Sequence, residues 1–370
     1  MKIKCQKIDL LNSINIVLKA IPAKTTMPIL ECIIIDAKTN IIKLIANDME
    51  LGIETIVKGD ILENGNLAIN AKVFSEIIRK LPDNEITIDA DDNYQSVITC
   101  EKAKFEISGK SSEEFPFLPE IEKEKQVTLS QFSLKEIIRQ TVFSISDNES
   151  NKIMTGELFE IHEDELKVTS LDGHRISIRN IKLKEIYDNI KVIVPGKTLN
   201  EVSKILSGEI ADEVHLFFTD KHIVFEFDDT VVVSRLIEGE FFKISQMLSN
   251  DYETRLTINK KEFLNCIDRA TLLVKESEKK PIIMNISDNN MELKIHSSIG
   301  SMNEEIDIKK EGKDILIGFN PRFFIDALKV IEDEEIDIYL FNPKAPCFIK
   351  DKEETYIYLI LPVNINTNVN

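Results

Sequence analysis

Three stretches of sequence decide the fold: Ala71-Lys-Val-Phe-Ser-Glu-Ile-Ile-Arg-Lys-Leu81, Gly196-Lys-Thr-Leu-Asn-Glu-Val-Ser-Lys-Ile-Leu206 and Pro321-Arg-Phe-Phe-Ile-Asp-Ala-Leu-Lys-Val-Ile331. In each, apolar residues recur at i, i+3 or i+4 and i+7, which lines one face of an amphipathic helix. The three superpose. Phe74, Leu199 and Phe324 stand 125 residues apart, as do Leu81, Leu206 and Ile331. Each helix follows a short apolar stretch (Asn66–Asn70, Lys191–Pro195, Asp314–Gly318) and precedes a β-forming run. The clearest run, Val214–Ser234, is punctuated by Thr-Asp-Lys and Asp-Asp and reads as a meander.

A second set of helices lies earlier in each repeat, at Asp9–Lys19, Ser133–Val142 and Lys261–Ala270, with Leu10, Leu134 and Phe263 in corresponding places. Each repeat therefore holds two helices and roughly eight short strands, an α+β unit. Phe115-Pro-Phe-Leu118 and Phe241-Phe-Lys-Ile244 end the first two repeats, which predicts domains at 1–125, 126–251 and 252–370.

A chain of 370 residues, 43% hydrophobic and 30% charged, has the composition of a globular protein with more than one core. Met1-Lys-Ile-Lys-Cys-Gln-Lys lacks the apolar run that export needs, and no apolar run approaches membrane-spanning length. The five cysteines show no CxxC spacing, as in reduced cytosolic proteins, so a cytoplasmic location is expected. The five histidines have no HExxH or comparable metal-ligand spacing, so neither a metal nor a cofactor is expected.

The net charge of −18 argues against a nucleic-acid partner if taken whole. Its distribution argues otherwise. The helical windows 7–20, 72–82, 133–141, 197–206, 259–269 and 321–331 are each net positive by one or two charges, although the chain is strongly acidic. A basic helix face holds phosphates without reading sequence, while acidic surface elsewhere repels stray DNA. Any solvated helix carries some Lys and Arg, but six positive helices of six exceed that expectation. No aromatic residues interleave these cations as a single-strand platform requires, so duplex backbone is the expected target.

Thr25-Thr-Met-Pro-Ile-Leu30, Ser170-Leu-Asp-Gly-His-Arg-Ile176, Val192-Ile-Val-Pro195, Ser234-Arg-Leu-Ile-Glu-Gly239, Gly318-Phe-Asn-Pro321 and Tyr358-Leu-Ile-Leu-Pro-Val363 occur in the order seen in the bacterial DNA sliding clamps. The chain resembles that family, the beta subunits of DNA polymerase III, from end to end. The resemblance implies three clamp domains, each with two helices packed on antiparallel sheets, in a head-to-tail homodimeric ring around duplex DNA. It implies a non-catalytic processivity factor that tethers the polymerase. By motif matching, Lys24, Lys72, Arg79, Lys80, Lys135, Arg139, Lys197 and Lys204 would face DNA, with Asn148 on a nearby loop. Leu272 and Leu273 match a position that packs across the subunit boundary, and ordinary helix-end core is the equal alternative.

The resemblance also implies a pocket for short linear peptides from the polymerase III alpha subunit, the clamp loader, repair polymerases and mismatch-repair proteins. It would include Met154, Leu171, Gly173, His174, Arg175, Ile176, Met247, Asn320, Phe323, Pro346, Leu359, Leu361, Pro362 and Val363. Phe242 stands in its wall where many relatives carry Pro, and Asn364 stands where they carry Arg, changes that bear on peptide preference. The chain ends in a polar tail, Ile365–Asn370, whose composition suits disorder.

Two other readings use the same residues. Ser170, Asp172 and His174 name the members of a hydrolase triad, but they crowd one segment, whereas triads assemble from separate elements. A peptide-binding scaffold that never touches DNA would leave the sorting of charge onto the helices without a purpose.

Overall fold

A computed structural model describes residues 1–38, 40–119, 121–123, 125–148, 150–248, 251–274 and 280–365. Most of the polar tail, 366–370, lies outside the described residues. Six helices occur in the expected places: α1 (Lys7–Val17), α2 (Ala71–Lys80), α3 (Gln131–Thr141), α4 (Gly196–Ile205), α5 (Lys260–Thr271) and α6 (Pro321–Val330). The superposed residues Phe74, Leu199 and Phe324 are fully buried, as are Leu10, Leu134 and Phe263, so the sequence period marks the core-facing stripe of each helix. Asparagine side chains cap three helices. Asn70, Asn259 and Asn320 accept hydrogen bonds from the N–H groups of Val73, Glu262 and Arg322.

The chain divides into two compact units, Met1–Leu134 with Glu201–Leu236 and Lys135–Asn200 with Ile237–Asn370. The middle repeat contributes strands to a sheet of each. In the first unit, five strands run in the order Gly59–Glu63, Lys2–Gln6, Glu85–Ala90, Gln95–Cys100, Ala103–Ser108. Eight more run in the order Gln126–Ser130, Glu213–Phe218, His222–Phe227, Thr230–Arg235, Leu51–Val57, Ile41–Asn47, Cys32–Lys38, Gly65–Asn70. Here the meander of the second repeat joins the first repeat. Val233 pairs with Gly52, and the Thr55 and Thr230 hydroxyls meet at 2.9 Å.

In the second unit, seven strands run in the order Gly156–Leu171, Arg175–Pro195, Tyr356–Ile360, Cys347–Lys350, Glu335–Leu340, Thr254–Asn259, Lys309–Gly312. The other four run in the order Ser301–Asp307, Asn290–His296, Ile282–Ser287, Ile315–Phe319. Phe324 of α6 packs edge-on against Phe263 of α5 and Phe319, with ring centroids 5.5 and 5.1 Å away.

One expectation needs correction. The second repeat does not consist of short strands: Gly156–Leu171 and Arg175–Pro195 form a single long hairpin of 16- and 21-residue strands. Register shifts between Ile161 and Glu165 carry the ladder through the polar middle, where composition alone suggests a break. All five cysteines are free and buried, and among the described residues no helix is long and apolar enough to cross a membrane.

Candidate peptide pocket and basic helix faces

One row of directly opposed residues crosses four neighbouring strands of the second unit. Leu171 faces Ile176, Ile176 faces Leu359, and Leu359 faces Phe348. Opposed side chains on one sheet face lie against each other, so the row makes a continuous apolar floor. Met154 rises beside it from a short helical turn, Lys152–Thr155. Phe242, Met247 and Pro346 line it as well. Together they enclose a cavity of about 560 Å³, a size and polarity suited to apolar side chains of a ligand.

The rim is set by the turn at Asp172-Gly173. Asp172 Oδ1 accepts from the N–H groups of His174 and Arg175 at 2.9 and 3.1 Å. Gly173 takes φ +87°, which a side chain would strain. On the opposite sheet face, which otherwise joins the core of the third repeat, the residues beside α3 carry hydroxyls. Ser170 Oγ donates to the Thr141 carbonyl at 2.6 Å, Tyr358 OH donates to the Gln140 carbonyl at 3.2 Å, and the Ser144 and Ser177 hydroxyls lie 2.6 Å apart. Ser170, Asp172 and His174 therefore form no nucleophilic triad: the serine is bonded away from the pocket face, and the aspartate is committed to the turn.

Eleven of the pocket residues expected from sequence line this cavity: Met154, Leu171, Gly173, His174, Arg175, Ile176, Phe242, Met247, Pro346, Leu359 and Leu361. Four do not line it. Asn320 caps α6, and Phe323 follows on that helix, with the His174 ring stacked on it at 6.2 Å. Pro362 and Val363 continue beyond Leu361, where the Val363 N–H donates to the Gly318 carbonyl at 2.8 Å. The sequence reading missed Lys243, Ile244, Gln246, Asp251, Phe341, Ala345 and Phe348. Phe348 was accessible through strand alternation; the others, apart from their place near the motifs, belong to loops without a period.

The basic residues fall into two groups. Lys72, Arg79 and Lys80 are exposed on α2, and Lys24 is exposed on the loop after α1; among the described residues, none of the four has a carboxylate partner. Arg139 on α3 is forked onto Glu136, with bonds of 2.5 to 3.1 Å, and also reaches Glu332 at 3.3 Å. The hydrogen bond to Glu136 is the main cause of the rise in its pKa. Lys204 pairs with Glu201 at 2.7 Å. Lys197 is exposed on α4, Lys135 is half-buried on α3, and Asn148 lies exposed in a turn where its Oδ1 accepts from Ser150 N–H. Leu272 is 79% exposed at the end of α5, whereas Leu273 packs partly against the core of the third repeat.

Profiles of a single family cover the chain in order: the N-terminal domain of the DNA polymerase III beta subunit matches residues 1–119, the central domain 128–243 and the C-terminal domain 245–364. The chain belongs to the DNA polymerase III beta subunit family. A beta sliding clamp of Staphylococcus epidermidis is 35% identical over 364 residues, 95% of this chain and 96% of that protein. The crystal structure of a DNA polymerase III beta subunit from Eubacterium rectale superposes with a TM-score of 0.96 at 65% identity, covering 99% of this chain and 100% of that one. The sliding clamp of Bacillus subtilis superposes at 0.95 with 33% identity and the same coverage. Family membership gives the chain three clamp domains and the role of a non-catalytic accessory subunit that makes DNA polymerase processive.

Proposed function

We propose that two copies of this chain close head to tail around duplex DNA, and that partners dock short peptides in the 560 Å³ cavity. The observation that carries this reading is a joint that occurs twice. Thr230–Arg235 pairs with Leu51–Val57, and Tyr356–Ile360 pairs with Arg175–Arg179, so that Val233 faces Gly52 as Leu359 faces Ile176. The corresponding strands of the first and third repeats, Ala103–Ser108 and Ser301–Asp307, are each the last strand of their sheet. Such an edge presents unpaired N–H and C=O groups to another chain. A second copy supplies the missing partner for both edges, a heterologous contact that closes after two subunits. Phe105 on the first edge strand and Leu272 and Ile299 near the other are exposed apolar residues, which supports Leu272 and Leu273 at the subunit boundary. Phe105→Asp or Leu272→Asp should yield monomers in sedimentation; an unchanged dimer would contradict this assignment.

Lys24, Lys72, Arg79, Lys80, Lys135, Arg139, Asn148, Lys197 and Lys204 are the DNA-facing residues in this reading, with the unpaired cations of α2 contributing most. Reversing Lys72, Arg79 and Lys80 to Glu should impair loading and sliding while peptide affinity stays intact. Unchanged behaviour on DNA would favour a scaffold that binds peptides only. The polymerase III alpha subunit, the clamp loader, repair polymerases and mismatch-repair proteins are the proposed peptide donors, in the cytoplasm. We place the domain boundaries at 1–125, 126–251 and 252–370.

A further inference from the structure

Arg175 stands at the rim of the cavity, yet its guanidinium is committed elsewhere. Its side chain is only 12% exposed. Nε donates to Asp172 Oδ2 at 2.9 Å, Nη1 to Asp326 Oδ2 at 2.6 Å and Nη2 to the Phe143 carbonyl at 2.5 Å. The rings of Phe323 and Phe143 lie 4.6 and 5.4 Å from it. All three nitrogens are engaged, and charge-assisted bonds with stacking on aromatic faces are the contacts a guanidinium makes most firmly.

These partners come from different parts of the second unit. Asp172 shapes the turn at the pocket rim, Phe143 follows α3, and Asp326 and Phe323 belong to α6 of the third repeat. One side chain thus ties the rim to two helices. The corresponding residue at the other joint is Leu51, buried and uncharged, so the repeat does not require this tie. His174, which lines the cavity, stacks on the same Phe323 ring that carries the guanidinium.

We propose that the guanidinium of Arg175 is a positioning group of the peptide pocket, held by Asp326 so that it keeps His174 and Phe323 in place, with its nitrogens committed to Asp172, Asp326 and Phe143 instead of to the peptide. This rests on the cavity being the peptide site. Asp326 is the useful probe because it does not line the cavity and its side chain is 37% exposed, so replacing it removes no cavity atom.

The test measures the affinity of the full-length protein for a fluorescein-labelled extended peptide carrying Leu and Phe, by anisotropy. Asp326→Ala should weaken binding about tenfold, the scale of coupling between residues in one hydrogen-bonded network. Asp326→Glu, which keeps the carboxylate, should recover most of the loss. Arg175→Ala combined with Asp326→Ala should be no weaker than Arg175→Ala alone. Thr257→Ala, which removes the 2.6 Å bond to Asp337 in the same unit, should lower the melting temperature without changing affinity. Wild-type affinity in Asp326→Ala, or multiplicative losses in the double variant, would overturn the proposal. A wild-type protein that binds no peptide would remove the pocket reading and this proposal together.

Discussion

At the first joint the opposed row across the sheet reads Asn47, Gly52, Val233, Val224, Phe217; at the second it reads Leu171, Ile176, Leu359, Phe348, Tyr339. The backbone pairing is the same, but the first four positions are larger or more apolar in the second row. A segment closing the preceding repeat passes over each: Pro116-Phe-Leu118 over the first and Phe242-Lys-Ile244 over the second. At the first joint Leu118 settles over Gly52, so closely that a Cβ there would lie 1.9 Å from its methyl group. Leu118 and Ile121 pack on Phe217, Val224 and Val233, while Asn47 Nδ2 donates to the Pro116 carbonyl at 2.7 Å. The groove left is about 260 Å³. At the second joint Ile176 stands in the place that Gly52 takes at the first, and about 560 Å³ remains open. The repeat dictates the joint; side-chain volume in one row decides whether the chain's own segment fills it or a cavity persists.

The repeats also differ at one strand position, where Ile33 pairs with Ile69 and its counterpart Glu157 pairs with Val194. Glu157 is fully buried, its Oε1 has no partner, and desolvation pushes its pKa up to about 8, only partly offset by the hydrogen bond from Thr141. The folded state retains a proton that the unfolded chain releases above about pH 4.5, so stability should fall as pH rises from there toward about 8. The scale is roughly 1.4 kcal/mol per unit of pKa difference, which makes this the largest expected effect. Glu157→Gln should flatten the slope and melt above wild type at pH 8 in calorimetry; parallel pH profiles would contradict it.

Next in size is a matched pair. Leu359→Ala should weaken peptide binding about a hundredfold, as loss of a buried anchor does, whereas Val233→Ala, its counterpart in the first row, should leave affinity unchanged. Equal losses in titration calorimetry would break the distinction between the joints. The smallest effect is expected for Gly52→Ile, which copies the second row into the first. It should expel Leu118 and cost about 1–3 kcal/mol in urea unfolding, as overpacking does, with part recovered by adding Leu118→Ala. Wild-type stability would show that Leu118 does not depend on the space at Gly52.

The helices were legible because period and repetition point the same way: Phe74, Leu199 and Phe324 are apolar and buried in all three copies. The joints were not, because nothing local in Thr230–Arg235 names Leu51–Val57 as its partner. Motif residues on strands and at the Asp172-Gly173 turn were found, whereas Phe341 and Ala345 sit in a loop whose course depends on distant packing. The charge count was correct but incomplete. Glu136 and Glu201 precede Arg139 and Lys204 by three residues, a spacing that predicts ion pairing on a helix. Glu76 stands three residues before Arg79 in α2 as well, yet no ion pair forms there, so the spacing alone does not separate α2 from α3 and α4 and the structure is needed to show which cations stay unpaired.

The most direct test of the central claim is retention of the purified protein on circular and linear duplex DNA after clamp loader and ATP are supplied. A sliding ring should stay on circles and escape from linear ends. Equal loss from both would contradict encirclement and leave a peptide-binding scaffold in its place.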